Sequence, residues 1–333
     1  MTKLQKLSLV YFITGSFFLA TGYSLIFNTC SYDSWISMII GSLIGLFIIF
    51  IFNKYGFNKV KNYILNRKIN KISKMIFSLF FIFIIFINII ILRVFTTSFY
   101  LTKTPGLFIV IPYILLCIYN SKKGIKSIAK EAQILMPISF IIITLNMLGV
   151  CKDGNIDFFL PILSTPINKI IVGSIYYAFL TSIPQLLLFD IKINTKEHIK
   201  NYMFITSLLI FIGSVIIFVL GPSLIKIYRF PEYMVLKQLK LFNFVEKIEN
   251  LVGMIWFFDL FITSSISVYN LDKTINNNKL FMIIIIIIIL LVELFSHYYK
   301  LVMFLYKYMP ILLFGIGILF FICLYLIRRK KIA

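Results

Sequence analysis

Apolar runs close to twenty residues long recur about ten times along this chain, and that recurrence decides what it can fold into. A helix rises 1.5 Å per residue, so each run is about long enough to cross a bilayer's hydrocarbon core. The runs lie near 7–29, 34–52, 75–98, 106–120, 133–150, 167–189, 202–222, 250–270, 280–298 and 309–327. Only 14% of the 333 residues are charged and 60% are hydrophobic, with a mean hydropathy of +0.98. The expectation is an all-α polytopic membrane protein whose first partner is the lipid bilayer. The longest connections, 53–74 and 223–249, are too short for a soluble domain, so one membrane domain is predicted over 1–333. Lys3 and Lys6 ahead of the first run resemble a secretory signal. The run is too long for one and lacks a small-residue cleavage site, which predicts a retained span.

The net charge of +21 takes its meaning from where the charges sit. With the N-terminus inside, the inner connections hold about 22 of the 33 basic residues and the outer ones about 10. Both termini are therefore expected to be cytoplasmic, and the basic excess reads as an orientation signal and not as a nucleic-acid surface. Cys30, Cys117, Cys151 and Cys323 are scattered singly, with no spacing for a metal, so free thiols and no metal or other cofactor are expected. No phosphate loop, HExxH, nucleophile elbow or paired-carboxylate motif occurs, so the chain does not read as an enzyme.

Five spans precede the connection at 151–166 and five follow it. An odd number per half forces the second half to run inverted, giving repeats over 1–150 and 151–333. In such folds the substrate site lies between the halves, where the first helix of each is interrupted. The first span carries Thr14-Gly15-Ser16 and Ala20-Thr21-Gly22; the sixth carries Gly173-Ser174 and Thr181-Ser182-Ile183-Pro184. Glycine and proline are common in membrane helices in any case, but here position, topology and residue type agree. Tyr176, Tyr177, Thr181 and Ser182 surround the sixth-span break.

One further stretch, Arg229 to Asn270, combines a surface segment with a span. Pro231 suits a helix's first turn, and the outer segment 223–249 is expected to be amphipathic. Asn243 with Glu246 three residues on fits a reciprocal cap for the eighth span. Along that span Trp256, Asp259, Thr263, Ser267 and Asn270 share one stripe, which in a membrane must face protein or a wet cavity. Asp259 lies about 13 Å along its helix from the outer end, too deep to reach headgroups. Arg93 is a candidate partner by depth, with snorkelling as the alternative, and Thr96, Thr97 and Tyr100 share its face. Glu293, Ser296, His297 and Lys300 fit interfacial hydrogen bonding. The Thr263-Ser264-Ser265 hydroxyls suit either a sodium ion or back-bonding to their own helix. Ser37, Gly41 and Gly45 form a ridge for close helix contact, and Ile283–Ile289 is apolar all round.

The chain resembles the permease-like B-subunit family of bacterial spore germinant receptors. The resemblance is carried by Phe230-Pro231-Glu232, by Phe244-Val245-Glu246-Lys247-Ile248-Glu249 followed by Ile255-Trp256, by Asp33-Ser34-Trp35-Ile36-Ser37, and by Ala20-Thr21-Gly22. Ala20 stands where the family's first-span motif has glycine, and Gln185 stands where its sixth span has a glutamate. The resemblance implies the amino acid-polyamine-organocation superfamily and a leucine-transporter-type fold with broken first and sixth helices. It further implies a subunit that senses a small germinant, an amino acid being the simplest, in the inner spore membrane with A and C subunits. The rival reading is a secondary amino acid transporter coupled to protons or sodium. In either case the ligand is expected between the first and sixth spans, against the third and eighth. The candidate residues are Gly15, Ser16, Ala20, Thr21, Gly22, Tyr176, Tyr177, Thr181, Ser182, Thr96, Asp259 and Thr263.

Overall fold

The computed structural model describes residues 1–55, 71–237 and 249–329, and among them all regular structure is helical. The expectations placed on Asn243 and Glu246, on the Phe244–Ile248 part of the second motif and on the basic runs at 59–68 and 330–331 lie outside the described residues. So does the side chain of Ala20.

The ten expected spans are all present. The first is split into α1 (Lys3–Phe17) and α2 (Tyr23–Cys30) by a π-helical turn, Phe18–Gly22. It is followed by α3 (Ser34–Tyr55), α4 (Lys71–Phe99), α5 (Leu107–Lys123) and α6 (Ile125–Val150). The second half comprises α7 (Ile167–Ser182), α8 (Thr195–Ile227), the short helix α9 (Pro231–Lys237), α10 (Glu249–Ile275), α11 (Asn278–His297) and α12 (Tyr299–Arg329). Among the described residues, eight helical stretches are long and apolar enough to cross a membrane. The 17-residue α5 and the split first span fall short as single uninterrupted helices. Gly124 alone, at φ 87°, separates α5 from α6, so Lys122, Lys123, Lys126 and Lys130 lie at helix ends and not in a loop.

The chain ends define one face of the bundle. Lys6 of α1 meets Glu197 of α8 there, and Phe52 of α3 meets Phe321 of α12. We call this the terminal face and the opposite one, carrying 100–106, 151–166 and α9, the distal face.

Packing repeats with a period of five spans. The second span (α3) packs along the sixth (α7), as the seventh (α8) packs along the first. The third (α4) meets the tenth (α12), as the eighth (α10) meets the fifth (α6). The eighth meets the fourth, as the third meets the ninth (α11). The Ser37–Gly41–Gly45 ridge makes the α3 contact possible. A β-carbon on Gly41 would sit 2.6 Å from the Ser174 carbonyl oxygen, and one on Gly45 2.0 Å from the Tyr202 hydroxyl oxygen.

Asp33, fully buried at the start of α3, accepts the backbone N–H groups of Leu163 at 2.7 Å and Thr165 at 2.8 Å. It thereby anchors the distal connection between the two halves. The described part of the expected amphipathic surface segment is instead tucked into the bundle. There α9 buries Pro231, Glu232, Tyr233, Val235 and Leu236 and exposes only Lys237, because Tyr233 packs on α4, 4.5 Å from Phe99. Pro231 opens α9, as its missing N–H favours. The apolar α11 run presents Ile283, Ile286 and Ile287 outward and buries Ile285 and Ile288 against the bundle.

Candidate functional site

The two interruptions differ in construction. In the first span, the π turn closes on Gly22, where a β-carbon would fall 2.4 Å from the Phe18 ring. Only a residue without a side chain lets that ring lie across the turn. Thr21, within the turn, donates to the Phe17 carbonyl at 3.0 Å. In the sixth span, Pro184 cannot donate to the carbonyl four residues back, and the chain tightens into a 3₁₀ segment over Ile183–Leu188. Thr181 and Ser182 turn their hydroxyls onto the Tyr177 and Ala178 carbonyls just before it. Gly15 and Gly173 sit inside continuous helix, so neither interrupts its span. Gly173 instead admits Cys30, whose sulfur lies 2.3 Å from where a β-carbon would stand.

Across these breaks lies α10, whose polar stripe is buried from Trp256 to Asn270. Thr263 donates to the Phe12 carbonyl of α1 at 3.1 Å, and Asn270 donates to the Leu187 carbonyl of the 3₁₀ segment at 3.0 Å. The stripe therefore meets protein, at carbonyl groups of both interrupted spans. Asp259 is its exception: 1% exposed, with no hydrogen-bond partner for either carboxylate oxygen among the described residues. Ser264 accepts from Asn88 at 3.1 Å and Tyr113 at 3.0 Å, tying α10 to α4 and α5.

Arg93 does not pair with Asp259. Its guanidinium reaches Glu293 of α11 at 2.9 Å, and His297 lies 3.0 Å from the same carboxylate oxygen. Depth along a helix fixes one coordinate only, and Arg93 points around the bundle toward the ninth span. Nor does it snorkel, being only 9% exposed.

A cavity of about 560 Å³ opens at the distal face between α2, α7, Arg229 and the start of α12. Two of the candidate residues line it, Thr21 from the first-span break and Tyr176 from α7. The other candidates pack elsewhere. Tyr177 is fully buried, donates to the Thr206 carbonyl at 3.2 Å and meets the Phe18 ring edge-on. Thr181 shares a 2.6 Å hydrogen bond with Tyr202. Ser16 and Thr96 turn back onto their own helices, at the Ile13 and Leu92 carbonyls. Gly15 is buried within α1.

Toward the terminal face the route is filled. Gln185 donates to Thr14 at 2.7 Å, and its carbonyl oxygen lies 3.4 Å from His198 Nε2. His198 Nδ1 lies 3.0 Å from Asn53. This fully buried chain joins the sixth, first, seventh and second spans. Beyond it, Lys6 pairs with Glu197 at 2.9 Å, and Lys273 stands 3.8 Å from Asp190. Gln185, His198 and Asn53 were not among the candidate site residues. The signal available was the polar character of Gln185 beside the Pro184 break; its partners are brought in by the fold. The cavity is thus accessible from the distal face and closed from the terminal one.

With that geometry in hand, the comparisons with known proteins are decisive about family. The model of the family described as spore germination protein matches residues 2–300. The chain belongs to this spore germination protein family. It is similar to spore germination protein XB of Bacillus anthracis, at 24% identity over 258 residues, covering 74% of this chain and 73% of that protein. Among solved structures it is similar to an outward-open, substrate-bound Na⁺-coupled sialic acid symporter, with a TM-score of 0.61. That match has 15% sequence identity and covers 96% of this chain and 79% of the symporter. The likeness establishes the fold, a leucine-transporter-type bundle with broken first and sixth helices. Spore germination proteins of this kind are transporter-like multi-pass membrane proteins, and this chain shares that character.

Proposed function

We propose that this spore germination protein is the transporter-like subunit of a germinant receptor that senses a small nutrient, most simply an amino acid. The observation that carries this reading is the distal cavity whose wall includes Thr21 of the interrupted first span, with the opposite face closed by the Gln185–His198 chain. A ligand entering there meets the first span on one side, the tenth on the other, and the sixth at Tyr176. The proposed ligand contacts run from Thr21 and Tyr176 inward, through Gly15, Ser16, Ala20, Gly22, Tyr177, Thr181, Ser182 and Thr96 to Asp259 and Thr263. Reaching the inner members requires the broken helices to move apart, and binding energy that favours one arrangement is what shifts such an equilibrium. The shift would pass to A and C subunits in the inner spore membrane. In this reading both termini are cytoplasmic, the distal face is outer, and the repeats divide between residues 150 and 151, consistent with the five-span packing period.

Spores lacking this chain, tested across single nutrients, provide the experiment. Loss of response to one nutrient, with other nutrients unaffected, is the expected result; an unchanged response to every nutrient would overturn it. One observation favours a second reading, a secondary amino acid transporter: the unpartnered Asp259 carboxylate, deep in a span, is suited to carrying a proton. Accumulation of labelled amino acid in vesicles, dependent on a proton gradient and lost in Asp259→Asn, would establish that reading in its place.

A further inference from the structure

We propose that a groove between α5 and α6, near the terminal face, binds a phospholipid whose headgroup ends in a primary ammonium. The groove, of about 380 Å³, is lined from both helices and from Phe261 of α10. Its rim is made by Leu116, Tyr119 and Ile134, each more than half exposed. In a bundle that spans a bilayer, apolar side chains so exposed meet lipid, so the occupant comes from the membrane. Tyr119 stands one turn from the end of α5, at the level where aromatic rings meet headgroups.

The floor of the groove is polar and incompletely satisfied. Asn120, 2% exposed, donates its amide hydrogens to Glu131 at 2.6 Å and Ser265 at 3.4 Å, while its Oδ1 accepts from no donor. Turning the amide over would set Oδ1 against the Glu131 carboxylate, so that neighbour fixes which atom is left over. Glu131 is half-buried and, when ionised, is acceptor-only, with lone pairs beyond the one Asn120 uses. Two adjacent acceptors short of donors call for a group with several N–H bonds and a positive charge. A primary ammonium has three such bonds; a trimethylammonium has the charge and none.

Lys123 supplies the other half of the match. It lines the same groove with its Nζ 4.3 Å over the Tyr119 ring, and among the described residues it forms no ion pair with Glu131. One charge of each sign, kept apart, suits a zwitterion whose phosphate and ammonium are separated by two carbons. The lysine attracts any phosphate, so the choice between headgroups rests on Asn120 and Glu131. Because Asn120 also reaches Ser265, the occupied groove braces α5 and α6 against α10.

The test is native mass spectrometry of the full chain from nanodiscs holding equal parts of phosphatidylethanolamine, phosphatidylcholine and phosphatidylglycerol with identical acyl chains. All three carry the phosphate, and only the first carries N–H bonds on a cationic nitrogen. The expected result is one retained phosphatidylethanolamine, preferred about tenfold or more over the other two. Glu131→Gln, which keeps an acceptor for Asn120, is expected to remove that preference. Ile134→Trp, which fills the groove from an exposed position and leaves the polar pair intact, is expected to remove it too. Should Glu131→Gln fail to fold, Ile134→Trp carries the test. Equal retention of phosphatidylethanolamine and phosphatidylcholine, a preference for phosphatidylglycerol, or a preference unchanged in a folded variant would overturn the proposal.

Discussion

The two ends of this bundle are built from similar residues and behave differently. At the terminal face, opposite charges meet: Lys6 with Glu197 and Lys273 with Asp190, above the buried Gln185–His198–Asn53 chain. At the distal face, charge of one sign surrounds an open cavity, and the carboxyl of Glu232 is buried on α9 with neither oxygen hydrogen-bonded among the described residues. The comparison teaches where the molecule can move. Both faces hold ion pairs, Arg93 with Glu293 toward the distal one, so what separates them is the open cavity at one and the buried Gln185–His198–Asn53 chain at the other. The same half-helices therefore serve as a seal at one end and a mouth at the other.

The contrast can be broken most severely at the aromatic packing that docks α9. Trp256→Ala removes the ring that packs on Phe95, Phe230 and Tyr233. A loss of about 3–5 kcal/mol is expected. It should appear as a lower unfolding temperature in detergent and faster hydrogen exchange across α9. Next comes Asp33→Ala, which leaves the Leu163 and Thr165 amides without their acceptor. At about 1.5–3 kcal/mol for a hydrogen bond to a charged group, its cost should approach that of the tryptophan. Protease cleavage within 151–166 would report the released connection.

At the terminal face, Gln185→Ala removes the donor to Thr14 and the carbonyl oxygen beside His198 Nε2 from a buried setting, for an expected cost of about 1–3 kcal/mol. If the polar chain is the seal, the variant should also become permeable to thiol reagents from that face; unchanged accessibility would show that apolar packing alone closes it.

Glu232 gives the smallest and most diagnostic effect. Burial pushes its carboxyl well above the usual 4.5. The docked helix therefore holds the proton more tightly than a solvated chain does. Its stability is full below about pH 4.5 and is lost progressively as pH rises toward the elevated value of the docked state. Hydrogen-exchange protection of α9 should fall as pH rises above about 4.5, and Glu232→Gln should abolish that dependence, its neutral amide mimicking the protonated acid. A pH-independent wild type would show that the carboxylate finds a partner when ionised.

Much of this was legible from the residues. Run length and charge bias gave ten spans, and the odd count per half gave inversion, which the packing period and the symporter-like fold now carry. Pro184 marked the sixth-span break because a missing N–H is a local property. The stripe on α10 was readable as protein-facing because helical spacing fixes which residues share a side. What sequence could not supply was azimuth between helices. Arg93 and Asp259 share a depth, yet Arg93 turns to Glu293, 200 positions away in sequence. His198 was a lone histidine until the fold set Asn53 and Gln185 on either side of it. Lys300 read as an interfacial hydrogen-bonding residue; only the approach of α12 to α2 makes it, with Lys307, a cavity wall. Gly15 and Gly173 looked like helix breakers and proved to lie in continuous helix, Gly173 serving a close approach.

The central claim is that the first-span break is reached from the distal face and closed from the other. Thr21→Cys, placed in a chain whose four native cysteines are replaced by serine or alanine, tests it directly in sided membrane vesicles. The account predicts modification by a small membrane-impermeant thiol reagent from the distal side, slowed by bound ligand, with no reaction from the side of the termini. Labelling only from the terminal side, or equally from both, would contradict it.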